Sequence, residues 1–199
     1  MELERKPLQM SRSRWVAIAA IMSALAIVGN YVLVTIPNVE LGSTVLFVTA
    51  YLFGYSMGIW CTTIMAVVFG SINPWGALIP QIWITQVLGW LYISIAGSIM
   101  GSQSQHIPQE SWSRLEIGLV GGIITLFFDL FTNLGYAWAF GVPYWVSLAS
   151  GAGFMALHVV TNAIVFAAAV PSLVTAVRVQ LKSMIWQADF NMTNVESEE

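Results

Sequence analysis

Asp129 and His158 each stand inside a long apolar run, and each is followed four positions later by an asparagine, Asn133 and Asn162. Residues four apart lie one above the other on a helix face, so each run, read as a helix, presents a polar stripe. An acid and an imidazole in apolar surroundings can relay a proton, act as general acid and base, or hold a polar ligand. They can also bond to each other and only pin two helices together. ATP hydrolysis is excluded in this chain. Its two lysines are Lys6 and Lys182, and no glycine-rich turn leads into Lys182-Ser183. No Gly-x-Ser-x-Gly occurs, and the second histidine, His106, falls in a polar connection. The lone cysteine, Cys61, lies in an apolar run, which leaves neither a disulfide framework nor a cysteine pair for a metal. The residues point to binding: no catalytic residue, metal site, cofactor or nucleic-acid partner is expected.

The elements that must position this stripe are membrane helices. The chain is 57% hydrophobic and 9% charged, against about 25% charged in soluble domains. The first apolar run, Trp15–Ile36, has 22 residues; a signal peptide has an apolar core of about 7–15, so the run reads as a retained span. Residues 41–72 carry no charge and are too long for one crossing, and Gly54 and Gly58 suggest a turn that divides them into two short spans. Further spans are predicted at Gln81–Met100, Leu115–Phe140 and Trp145–Val170, with Pro171 closing or kinking the last. Six spans place all seven basic residues (Arg5, Lys6, Arg12, Arg14, Arg114, Arg178 and Lys182) on one side, whereas five would split them. The positive-inside rule then gives a compact all-α bundle of six transmembrane helices with both termini cytoplasmic. The expected organisation is a tail over 1–14, a membrane domain over 15–176 and a second tail over 177–199, in a multi-pass protein of the cell (plasma) membrane.

In that topology Asp129 and His158 lie about 16 and 20 Å below the outer surface, at similar depth on consecutive helices. The outward loops 37–42, 73–80 and 141–144 carry no Lys or Arg, and Glu40, beside Asn38, is their only acid. Glu40 is either a solvated loop carboxylate or a polar contact in a loop folded over an outward-facing cavity. Asn73 and Trp75 occupy the second of these loops, and Trp83 follows just inside the next span. Aromatic walls with a few polar groups suit a planar organic ligand, so these residues join the candidate binding set. Small residues four apart, Ala20 and Ala24 in the first span and Gly118 and Gly122 in the fifth, allow close helix approach. They serve either this chain's own bundle or the docking of another membrane subunit.

Six spans in about 200 residues, the Ala-rich first helix and the Ile36-Pro37-Asn38-Val39-Glu40-Leu41 exit resemble the S components of energy-coupling factor (ECF) vitamin transporters. So do the Phe69–Gly76 segment and the stripes Asp129-x-x-x-Asn133 and His158-x-x-x-Asn162. The resemblance covers about residues 15–172. It implies a subunit that captures a vitamin or related micronutrient from outside, with loops 37–42 and 73–80 as a lid. It further implies that Ala20 and Ala24 dock on a membrane coupling subunit that carries two ATPase subunits. Two alternatives stand beside it: a self-sufficient small transporter linked to protons through Asp129 and His158, and an accessory membrane subunit without a ligand.

Overall fold

A computed structural model describes residues 10–74, 76–106 and 112–185. The described residues form six α-helices in the order α1 (Arg12–Tyr31), α2 (Gly42–Phe53), α3 (Tyr55–Ser71), α4 (Pro80–His106), α5 (Arg114–Phe140) and α6 (Tyr144–Ile185). Four of them, α1, α4, α5 and α6, are long and apolar enough to cross a membrane. Their outward faces are greasy: Val16 and Ile21 on α1, Leu88 and Ile99 on α4, Leu119 and Ile123 on α5, and Val160 and Ile164 on α6 are exposed. A water-facing surface does not carry apolar residues on this scale, and a lipid-facing one does. This is a membrane protein.

The two short helices come from the division of 41–72. The break is a single residue, Gly54, at φ 84° and ψ 179°, a backbone region that only glycine enters at little cost. Gly58, the other residue expected in the turn, lies inside α3 against Ala50 of α2. With 12 residues, α2 spans about 18 Å. It is the centre of the bundle, packed by α1, α3, α4 and α6. Leu46, Phe47 and Ala50 are wholly buried, and the Phe47 ring meets Phe166 of α6 with centroids 5.2 Å apart. The fit against α4 depends on Gly97 and Gly101, where a Cβ would strike the carbonyl groups of Phe47 and Tyr51.

Helix ends follow local chemistry. Ser113 and Glu116 form a capping box at the start of α5, and Gly141, at φ 64°, ends it in the left-handed conformation. The predicted span Leu115–Phe140 therefore differs from α5 by one residue. Three other boundaries need correction. First, α1 stops at Tyr31, five residues before the predicted Ile36, because the chain turns back over the bundle. Second, α4 runs to His106, well into what read as a polar connection. Third, α6 passes through Pro171 and through the expected domain boundary at 176 to reach 42 residues, about 63 Å. Pro171 cannot donate to the Ala167 carbonyl. The Ser172 hydroxyl donates to the Ala168 carbonyl (3.3 Å) and Thr175 to that of Pro171 (2.8 Å), ordinary back-bonds to the preceding turn.

Candidate functional site

Helices α5 and α6 form an antiparallel hairpin whose contacts advance one turn at a time. Gly121 meets the Phe166 ring, Thr125 meets Asn162, and Asp129 meets His158. Gly118 and Gly122 lie against Ala163, so that small-residue pair serves the chain's own packing. At the third rung His158 Nδ1 and Asp129 Oδ1 are 2.8 Å apart, and both residues are buried. With Asp129 ionised, Nδ1 carries the proton and donates it to the carboxylate.

The third member of the cluster comes from a distant part of the chain. After Tyr31 the backbone makes successive turns over 32–40 and returns into the bundle, where the Leu41 N–H donates to the Gly29 carbonyl at 3.0 Å. Gly29 and Gly42 make this return possible. A Cβ on Gly29 would lie 2.8 Å from the Gly42 nitrogen, and one on Gly42 would strike the Asn30 carboxamide. Asn38 takes a left-handed conformation (φ 59°) in the loop, which asparagine tolerates better than most residues. The loop thereby drops Glu40 onto the start of α2, where Oε2 accepts the Ser43 N–H at 2.8 Å. Its Oε1 accepts from the Asn162 carboxamide at 3.3 Å and stands 3.8 Å from His158 Nε2. The Glu40 carboxyl is held below the usual carboxylate range. Burial acts to raise it, and the His158 imidazole and the Ser43 N–H, which favour the charged form, outweigh that effect.

Beneath the loop lies a cavity of about 170 Å³. Its polar lining comprises Asn30, Asn38, Glu40, Ser43, Gln86, Asp129, Thr132 and His158. Its aromatic wall is a relay of rings: Phe69 meets Trp90 (5.7 Å), Trp90 meets Phe128 (5.6 Å), and Phe128 meets the His158 imidazole (5.8 Å). Among the described residues, Asp129 Oδ2, His158 Nε2 and Asn162 Oδ1 are buried without a hydrogen-bond partner. Such atoms cost free energy unless something completes them. His158 lies between the two carboxylates and directs one nitrogen at each, so the three do not converge on one point. Among the described residues no group of His, Cys, Asp and Glu has the arrangement of a metal site.

Of the residues singled out from sequence, Asn38, Glu40, Asp129 and His158 line this cavity. Asn162 stands behind it and bridges Glu40 to Thr125 (3.1 Å). Asn133 does not reach it. Its carboxamide donates to the Asp129 carbonyl (2.9 Å) and accepts from the Ser147 hydroxyl (2.9 Å), so Asn133 pins α5 to α6. Trp83 is likewise a helix tie, its indole N–H donating to the Ala66 carbonyl of α3 at 2.9 Å. Asn73 accepts the Gly76 N–H within its own loop and is not part of the lining. Trp75 lies outside the described residues. Ala20 and Ala24 are exposed on α1, opposite the buried stripe Ala19, Met22, Ser23, Ala26. Sequence reasoning missed Asn30 and Gln86. Each is an amide inside an apolar helix, the signal that marked Asp129 and His158. No family model matches this chain, and no curated protein or solved structure shows significant similarity to it.

Proposed function

We propose that this chain is the substrate-binding membrane subunit of an importer whose ATPases are separate proteins, an S component of the energy-coupling factor kind that captures a vitamin-like small molecule. The observation that carries the reading is the cavity itself: a loop folded over buried polar atoms and an aromatic wall, in a chain without a phosphate loop. A charged cluster is expensive at this depth, and a ligand that completes it is a reason to keep it. In this reading α1, α4, α5 and α6 cross the plasma membrane, the short helices α2 and α3 form a hairpin that returns to the outer side, and both termini are cytoplasmic. Arg12, Arg14 and Arg114 at the starts of α1 and α5, and Arg178 late in α6, then face the cytoplasm. The loop 32–41 opens outward. The exposed small-residue face of α1, Ala20 and Ala24, docks the coupling subunit that carries two ATPases.

Native mass spectrometry of the purified chain tests the capture role, with a co-purifying small molecule as the expected result. Ala20→Trp and Ala24→Trp are expected to keep that molecule bound while abolishing uptake in cells. Loss of binding in these variants would place the stripe inside the fold and end the docking assignment. The succession Glu40–His158–Asp129 also favours a second reading, a proton-linked transporter that works alone. Uptake by the isolated chain in liposomes, driven only by a proton gradient, would establish that reading over the first.

A further inference from the structure

We propose that the cavity takes a small planar cation, such as an amidinium, a guanidinium or a protonated amino-heterocycle of one or two rings. This rests on the binding role above and adds the charge and shape of the ligand. The cavity walls hold two carboxylates, Glu40 and Asp129, and a single imidazole, His158. Among the described residues no Lys or Arg lines it, and the sequence has none between Arg14 and Arg114 or between Arg114 and Arg178. With His158 protonated and both acids ionised, one negative charge is left over; with His158 neutral, two are. The start of α2, a feature that would welcome an anion, is already used by Glu40 through the Ser43 N–H. An anionic ligand would enter a site of its own sign at low dielectric, where like charges repel strongly. A cation meets the carboxylates of Glu40 and Asp129, both in the lining.

Shape comes from the same walls. The volume of about 170 Å³ equals roughly six waters at about 30 Å³ each, which is room for one ring or a fused pair. Phe69, Trp90 and Phe128 line the cavity, and a flat cation against these rings gains the electrostatic attraction of the π-system in addition to burial. Gln86 and Asn38 supply neutral amides for the ligand's remaining polar edge.

Three probes of one shape isolate the charge: benzamidinium, benzamide and benzoate, titrated by calorimetry at neutral pH into the full chain in detergent. Benzamidinium is expected to bind about tenfold more tightly than benzamide, with benzoate weakest. Asp129→Asn, nearly isosteric, is expected to shrink the benzamidinium–benzamide gap. Should that variant not fold, Glu40→Gln on the loop gives the same reading. Benzoate or benzamide equalling benzamidinium, or a co-purifying molecule that proves anionic, overturns the cation assignment and leaves the capture role standing. If none of the three binds, the assignment also falls, and if in addition nothing co-purifies, the capture role falls with it.

Discussion

Asp129 with Asn133 on α5, and His158 with Asn162 on α6, have the same four-residue spacing, yet the two asparagines end in different places. Asn162 lies one rung deeper along the hairpin, facing Thr125, and there it reaches across to the loop carboxylate Glu40. Asn133 lies one turn the other way, where α6 presents Ser147, and it bonds that hydroxyl. Spacing sets which face of a helix a residue occupies. What it meets there is set by the neighbouring helix and, at this site, by a loop from another part of the chain. One pair thus belongs wholly to the loop-covered cluster, and the other is divided between the cluster and a helix joint.

The comparison can be broken most sharply at Asp129. Asp129→Ala leaves the His158 imidazole buried without its partner, a loss of about 3 kcal/mol by the measure of broken buried pairs. A large fall in melting temperature together with loss of ligand is expected; unchanged melting would mean the pair contributes little. Next in size, Asn162→Ala should weaken ligand affinity about tenfold, equivalent to about 1.4 kcal/mol for a hydrogen bond to a charged group. Asn133→Ala should cost about 1 kcal/mol of stability and leave affinity within about twofold. Equal losses of affinity in the two asparagine variants would erase the distinction drawn between them. The smallest effect concerns pH. Because the Glu40 carboxyl sits below its ordinary value in the folded chain, its contribution is fully present above that ordinary value. It is lost as pH falls through the depressed folded value. Melting temperature followed from neutral to acid pH should decline below about 4.5 in the parent, and less in Glu40→Gln; parallel curves would remove Glu40 from the account.

The sequence shows the helices most clearly where their ends are chemically marked. Ser113, Glu116 and Gly141 bound α5, and its predicted limits miss by one residue. Pro171 looked like an end or a kink because proline removes a donor, yet α6 runs through it, so one lost bond does not end a helix that packing holds on both sides. The end of α1 was hidden for a different reason. Residues 32–36 are as apolar as the helix before them, and only the return of Leu41 to Gly29 shows that they belong to a loop. At the site, Asp129 and His158 stood out because ionisable groups are rare in apolar runs. Asn30 and Gln86 carry a weaker form of the same signal. Trp83 and Asn133 show its limit, since a polar atom in a greasy helix bonds a neighbouring backbone or hydroxyl as readily as it lines a cavity.

The backbone hydrogen bond from Leu41 to Gly29 has one more consequence, for how this protein can change. It closes the segment between them into a loop whose two ends are fastened to each other, so added length in the loop need not part α1 from α2. Doubling such a loop costs only about 0.6 kcal/mol in closure entropy. Residues 32–38 therefore form an exchangeable cassette, with Glu40 as its fixed end. Insertions or grafts between residues 32 and 38 redesign the cover over the cavity, and with it the molecules admitted, while Glu40 and the helical frame beneath stay as they are.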